Sequence, residues 1–86
     1  MANIKSSIKD IERNRSRRMR NRAIKSRVRT HIRRFGQAVE SGDKQLALET
    51  YKAAQSQIDR AVSKGVLKRN TGARYKSRLA SRLEAL

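Results

Sequence analysis

One ten-residue stretch restricts the possible fold more than any other part of the 86-residue chain. Residues 13–22 read RNRSRRMRNR, and Met19 is the only large apolar side chain among them. A helix that is polar on every side has no face to bury against its own domain. We therefore expect this stretch to project from the rest of the protein, as part of a first helix of about thirty residues.

Apolar residues at helical spacing predict three helices, because a buried helix face repeats every three or four residues. The stripes are Ile24, Val28, Ile32, Phe35 and Val39; then Leu48, Tyr51, Ala54, Ile58 and Val62 (or Ala61); and then Tyr75, Leu79, Leu83 and Leu86. Short joints between such helices favour antiparallel neighbours. The predicted fold is all-α, a three-helix bundle with a long, basic first helix projecting from the compact part. We expect residues 1–86 to be a single domain, with 1–23 projecting and 24–86 forming the bundle.

The joints carry their own signals. Gly42 suits the left-handed backbone that follows a helix end, and Asp43 is the expected N-cap of the second helix. Gly65 ends that helix in the same way, and Asn70 is the expected N-cap of the third. Gly72 would then lie in the first turn of the third helix, where glycine costs up to about 1 kcal/mol relative to alanine. Residues 66–67 (VL) should form a short apolar connector under the turn.

Charge identifies the kind of partner. The chain has 23 Lys and Arg against 7 Asp and Glu, a net charge of +16. Residues 1–34 carry 13 basic and 2 acidic side chains, and residues 64–86 carry 7 and 1, whereas residues 35–63 carry 3 and 4. Self-repulsion at this density destabilises a compact state unless a polyanion neutralises it. Both ends of the chain therefore predict a polyanionic partner.

The residue inventory excludes other functions. There is no Cys and a single histidine, His31, so neither a disulfide framework nor a zinc site is expected. No paired carboxylates, glycine-rich phosphate loop or nucleophile with a base is visible, and we expect no enzyme activity, cofactor, metal or small-molecule substrate. No segment is apolar enough to span a bilayer, and the projecting stretch lacks the apolar face needed to insert into a membrane surface.

Arginine predominates in the projecting part, and its planar fork bonds phosphate oxygens in pairs. A rod that is basic on all sides suits folded RNA, where several helices crowd one protein; a histone-like or nucleoid-associated DNA-binding protein is the alternative. A second basic cluster surrounds the last joint, where Arg74 and Arg78 face outward and Arg82 continues the row. Asp59 and its neighbour Arg60 are expected to form a surface pair. The three aromatic residues fall on the apolar stripes, which favours core packing over base stacking.

Three segments resemble the bacterial small-subunit ribosomal protein twenty family. They are the opening MANIKS, the GDK at 42–44 and above all KGVLKRNTGARYKSRL at 64–79. The similarity covers essentially the whole chain. It implies a primary assembly protein of the small (30S) ribosomal subunit, located in the cytoplasm and acting in translation and ribosome assembly. We also expect that Met1-Ala2 leaves no room for a transit peptide.

The resemblance implies direct binding to 16S ribosomal RNA, at its five-prime domain and at the long decoding helix near its three-prime end, with few or no protein neighbours. Pattern and resemblance together nominate a set of RNA-binding residues on the first helix and around the last joint. They are Asn3, Lys5, Ser6, Lys9, Arg13, Arg15, Arg17, Arg18, Arg20, Asn21, Arg22, Lys25, Ser26, Arg27, Arg29, Thr30, Arg33, Lys64, Lys68, Arg69, Asn70, Arg74, Lys76, Ser77 and Arg78. Ordering of the first helix is hypothesised to accompany binding.

Overall fold

The computed structural model describes the backbone of residues 3–86 and the side chains of residues 9–86. Three helices follow one another, α1 (Asn3–Ser41), α2 (Lys44–Ser63) and α3 (Arg69–Glu84), with no strand among the described residues. This confirms the predicted all-α class. The molecule measures 63 × 21 × 13 Å. Its long axis reflects the 39 residues of α1, which at 1.5 Å per residue extend about 58 Å.

The N-terminal part of α1 projects from the bundle, as predicted. Every described side chain from residue 9 to residue 20 is exposed, and Ile24 is the first buried residue of the helix. Even the two apolar residues of this part, Ile11 and Met19, are 60% and 68% exposed. The helix is longer than the thirty residues predicted, because it continues upstream of the arginine-rich stretch to Asn3.

The joint between α1 and α2 has the predicted chemistry. Gly42 adopts a positive φ of 75°, in the left-handed region that favours glycine. The Asp43 Oδ1 atom accepts hydrogen bonds from the backbone N–H groups of Gln45 and Leu46, both at 3.1 Å. These two bonds satisfy donors that would otherwise be unpaired at the start of α2.

The joint between α2 and α3 differs from the prediction at one point. Gly65 has a φ of 75°, and the half-buried Val66 and Leu67 pack against the core, both as expected. The predicted N-cap of α3, Asn70, is wrong: α3 begins at Arg69, and Lys68 is the N-cap, without a side-chain hydrogen bond. The chain reverses early, because the N–H groups of residues 66 and 67 both donate to the Ala61 carbonyl.

Small residues line one buried side of α2. Ala47, Ala54 and Ala61 recur every seventh residue, and all three are fully buried. An alanine seam lets two helices approach closely, since only a methyl group separates the backbones at each contact. The sequence prediction placed Leu48 on this face and was wrong there, because Leu48 lies a quarter turn away and is 44% exposed.

The largest fully buried side chains are Phe35 of α1 and Ile58 of α2. Phe35 packs against Tyr51, with ring centroids 6.0 Å apart and planes inclined at 56°. This tilted arrangement is one that aromatic pairs favour. Helix α3 lies mainly against α2 and adds Leu79 to the core. No helix in the described part of the chain is both long and apolar enough to cross a membrane.

Candidate nucleic-acid interface

The first helix presents an almost uncompensated cationic surface. Between residues 9 and 34 it carries twelve Lys and Arg side chains, and all twelve are exposed. Among the described residues, the only salt bridge of the protein joins Lys76 to Asp59, well away from this part of α1. The cations of α1 therefore keep their charge available for an external anion.

Many of these cations line two shallow grooves on α1. The first groove is lined by Lys9, Glu12, Arg13, Ser16 and Arg17. The second groove is lined by Arg18, Asn21, Arg22, Lys25 and Arg29. Nine residues, two and a half helical turns, separate Lys9 from Arg18 and Arg13 from Arg22. The two grooves consequently lie on opposite sides of α1.

One side of α1 carries no cation over three turns, which corrects the prediction that the rod is basic all round. Met19, Ala23, Ser26 and Thr30 follow one another at spacings of four, three and four and so share this side. The Thr30 Oγ1 atom donates to the Ser26 carbonyl at 2.9 Å, within the helix. The positive charge is concentrated in the two grooves and at their flanks.

A smaller surface on α3 faces away from the bundle. It consists of four exposed residues that the sequence nominated, Asn70, Arg74, Ser77 and Arg78. Asn70, Arg74 and Ser77 follow one another at spacings of four and three, and Arg78 lies four residues after Arg74, so their side chains share one broad face of the helix. We call this the α3 surface. Its two arginines have no ion-pair partner among residues 9–86.

Two other cations of α3 have partners inside the protein. The half-buried Lys76 Nζ atom donates to Asp59 Oδ1 at 2.8 Å. This pair replaces the predicted one between Asp59 and Arg60, because α3 brings an ammonium group against the outer edge of α2. Arg82 does not continue the outward row: its guanidinium carbon lies over the Phe35 ring, 5.8 Å from the centroid. Lys76 is thus a nominated cation that is already paired within the protein.

The remaining nominated residues from Lys9 onward lie where a ligand can reach them. Lys64, Lys68 and Arg69 are exposed around the last joint. On α1, Asn21 and Thr30 are half-buried and the others are exposed, and they are Lys9, Arg13, Arg15, Arg17, Arg18, Arg20, Arg22, Lys25, Ser26, Arg27, Arg29 and Arg33. The side chains of Asn3, Lys5 and Ser6 lie outside the described residues.

Sequence reasoning missed one exposed cation of α1. Arg34 lies two turns after Arg27 on the same side of the helix and is exposed like it. The seven-residue spacing between two arginines was visible in the sequence and would have identified it. Arg34 extends the cationic surface to the middle of the bundle.

Fold and surface together define a class: a small helical protein built to bind an extended polyanion. A thin core supports the two opposed grooves of α1 and the α3 surface. The described residues contain no group of three or more His, Cys, Asp or Glu side chains arranged to hold a metal ion.

Comparison with known proteins agrees with this class. The sequence profile described as ribosomal protein S20 matches residues 2–84. The small ribosomal subunit protein bS20 of Frankia casuarinae is 52% identical over 80 residues, 93% of this chain and 90% of that protein. Its counterpart in Mycolicibacterium smegmatis is 50% identical over the full length of both chains. The chain therefore belongs to the ribosomal protein S20 family.

Proposed function

We propose that this protein is a structural constituent of the small ribosomal subunit, which binds 16S ribosomal RNA directly and stabilises its folding during assembly. The observation that carries the proposal is the pair of cationic grooves on opposite sides of α1. A single duplex offers anionic charge to one side of a helix, whereas folded RNA surrounds it. Membership in a family of structural ribosomal proteins, and not of enzymes, supports the same function.

The mechanism is electrostatic and involves no covalent chemistry. Each Lys or Arg that reaches a phosphate displaces condensed counterions, and their release drives binding. The arginine forks also fix the orientation of the phosphates they contact. With one RNA segment in the first groove and another in the second, α1 holds the two segments at a set distance. Base-specific recognition contributes little, because A-form RNA is recognised through its shape, its backbone and its 2′-hydroxyl groups.

We further propose which parts of the RNA the two sides meet. The five-prime domain and the long decoding helix near the three-prime end are far apart in the RNA sequence, and a rod with two opposed grooves suits two such segments. In this arrangement residues 1–23 lie between RNA helices, residues 24–86 form the body of a single domain, and the α3 surface provides the third contact. We also propose that the protein has few or no protein neighbours in the subunit.

The alternative function, a nucleoid-associated DNA-binding protein, receives no support from the family match. The discriminating experiment compares binding to full-length 16S ribosomal RNA with binding to an equal mass of duplex DNA, at about 0.3 M salt, where non-specific phosphate contacts are weak. We expect RNA binding to be retained and DNA binding to be lost. Equal loss of both would contradict the proposal and favour the DNA-binding alternative.

Hydroxyl-radical footprinting of the same complex tests the finer assignment. Protections are expected in two groups, one in the five-prime domain and one in the long three-prime helix. The variant K9Q/R13Q should lose one group and R18Q/R22Q the other, because each removes the cations of a single groove. Protections confined to one region, or lost together in both variants, would overturn the two-sided arrangement.

A further inference from the structure

A partly enclosed cleft lies where α1, the last connector and α3 meet. Its volume is about 190 Å³. The apolar side chains of Val28, Ile32 and Leu67 line it, together with the ring of Tyr75. The two cations at its border are Lys25 and Arg29. The cleft shares its two cations with the second groove, but phosphate binding does not explain its apolar lining.

Size limits what the cleft can hold. Pockets for drug-sized ligands measure roughly 300–1,000 Å³, so a cleft of about 190 Å³ accommodates a single planar ring system and not a whole cofactor. Ile32, Leu67 and Tyr75 are each half-buried, which leaves part of their apolar surface in contact with water. Covering that surface with a flat, weakly polar group is favourable.

The cleft is continuous with the second groove, and this indicates what kind of group the cleft binds. Lys25 and Arg29 line both the cleft and the second groove. A nucleic-acid strand whose phosphates lie in the second groove therefore passes the mouth of the cleft. The chemistry required at that point is a flat ring attached to an anionic backbone, which is a nucleotide. A base inside a regular duplex is stacked and paired, so only an unpaired nucleotide can turn its base into the cleft.

We propose that the cleft binds the base of one unpaired nucleotide of the RNA. The base stacks against Tyr75 over the apolar floor, and the flanking phosphates contact Lys25 and Arg29. This inference rests on the proposed RNA-binding function and adds one specific contact to a largely electrostatic interface. It assigns Tyr75 a binding role in addition to the core packing that its apolar stripe predicted.

The test uses the full chain and full-length 16S ribosomal RNA, with three substitutions. Tyr75→Leu keeps an apolar side chain and the net charge but removes the ring. Tyr75→Phe keeps the ring. Tyr51→Leu is the matched control, since Tyr51 is also half-buried but packs on Phe35 and does not line the cleft. Circular dichroism confirms that each variant is folded before its affinity is measured.

Stacking of one base on an aromatic side chain corresponds to roughly a fivefold or greater change in affinity. We expect Tyr75→Leu to weaken RNA binding by at least about fivefold, whereas Tyr75→Phe and Tyr51→Leu stay within about twofold of the parent protein. The salt dependence should be unchanged in all three, because no charge is removed. Ultraviolet irradiation of the parent complex should crosslink Tyr75, and not Tyr51, to the RNA.

Three outcomes would overturn the inference, and only the last also overturns the proposed function. If the parent protein retains 16S RNA at about 0.3 M salt but Tyr75→Leu binds equally well and Tyr75 does not crosslink, the cleft contact is overturned and the proposed function stands. If a fully paired RNA duplex crosslinks to Tyr75 as efficiently as 16S RNA, the cleft does not select an unpaired base, and the inference also fails. If the parent protein does not distinguish 16S RNA from DNA, both proposals fall.

Discussion

Gly72 of α3 lies so close to Val62 of α2 that a Cβ atom built on the glycine would be 2.5 Å from the Val62 Cγ2 atom. Real Cβ atoms essentially never approach so closely. The same Cβ would be 3.4 Å from the Cγ2 atom of the fully buried Ile58, at the short limit of ordinary van der Waals contact. The glycine thus permits the close packing of α3 on α2, even though glycine within a helix is unfavourable in itself.

Replacing this glycine with alanine should destabilise the protein. Gly72→Ala gains up to about 1 kcal/mol of helix propensity, but overpacking a tight core contact costs about 1–3 kcal/mol. We expect a net loss of about 1 kcal/mol and a fall in Tm of about 4–8 °C, measured by thermal unfolding.

Two controls isolate the contact. In Gly36→Ala the new methyl group would lie 3.7 Å from the Arg82 guanidinium nitrogens, an ordinary distance, so this variant should be more stable than the parent. Combining Gly72→Ala with Val62→Ala should recover part of the loss, because the clashing methyl group is gone. Equal stabilisation by Gly72→Ala and Gly36→Ala would disprove the steric explanation.

Substitutions of Arg82 and Arg78, which lie four residues apart on α3, should separate an effect on stability from an effect on RNA affinity. The Arg82 guanidinium covers the Phe35 ring, so Arg82→Ala should lose about 0.5–1 kcal/mol of stability and lower Tm by a few degrees. Its effect on RNA affinity should be small. Arg78→Ala should leave Tm unchanged and weaken RNA binding, since Arg78 belongs to the α3 surface. An Arg82→Ala variant that keeps its Tm but loses RNA affinity would refute this division.

The two grooves should contribute separately to the salt dependence of RNA binding. Each phosphate contact contributes about 0.7–0.9 to the log–log slope, so K9Q/R13Q and R18Q/R22Q should each reduce the slope by about 1.4–1.8. All four substitutions together should reduce the slope by the sum of the two separate reductions, as measured by RNA titrations at several salt concentrations. The control K44Q/K52Q removes the same charge from exposed positions of α2 and should leave the slope unchanged.

The projecting half of α1 should be less stable without RNA than the half inside the bundle. Residues 9–20 have no buried side chain, and like charges four residues apart, as in Arg13 and Arg17, weaken a helix by about 0.2–0.5 kcal/mol per pair. Hydrogen exchange should therefore be faster for the amides of 9–20 than for those of 24–39 in the free protein, and slower once RNA is bound. Equal protection of both halves in the free protein would show that ordering does not accompany binding.

Local signals in the sequence were sufficient to predict the three helices and the polyanionic nature of the partner. Gly42, Asp43 and Gly65 act on the backbone within a few residues, so their effect on helix ends does not depend on the rest of the fold. Charge is equally local: the arginines of 13–22 have only Met19 as a large apolar neighbour within the stretch, which is too little to form a buried helix face. For this reason the projecting basic helix was predictable before any packing was known.

Only the tertiary structure decided which helix faces are buried and which charged side chains have partners within the protein. Ala47 is buried and Leu48 is exposed because packing turns the alanine side of α2 toward the core. Lys76 and Arg82 are engaged within the protein because α3 brings them to Asp59 and to the Phe35 ring. These outcomes depend on distances between helices, which a single periodic pattern does not contain. The sequence by itself determined the three helices and their positive charge, and packing decided which cations stay exposed and which are engaged within the protein.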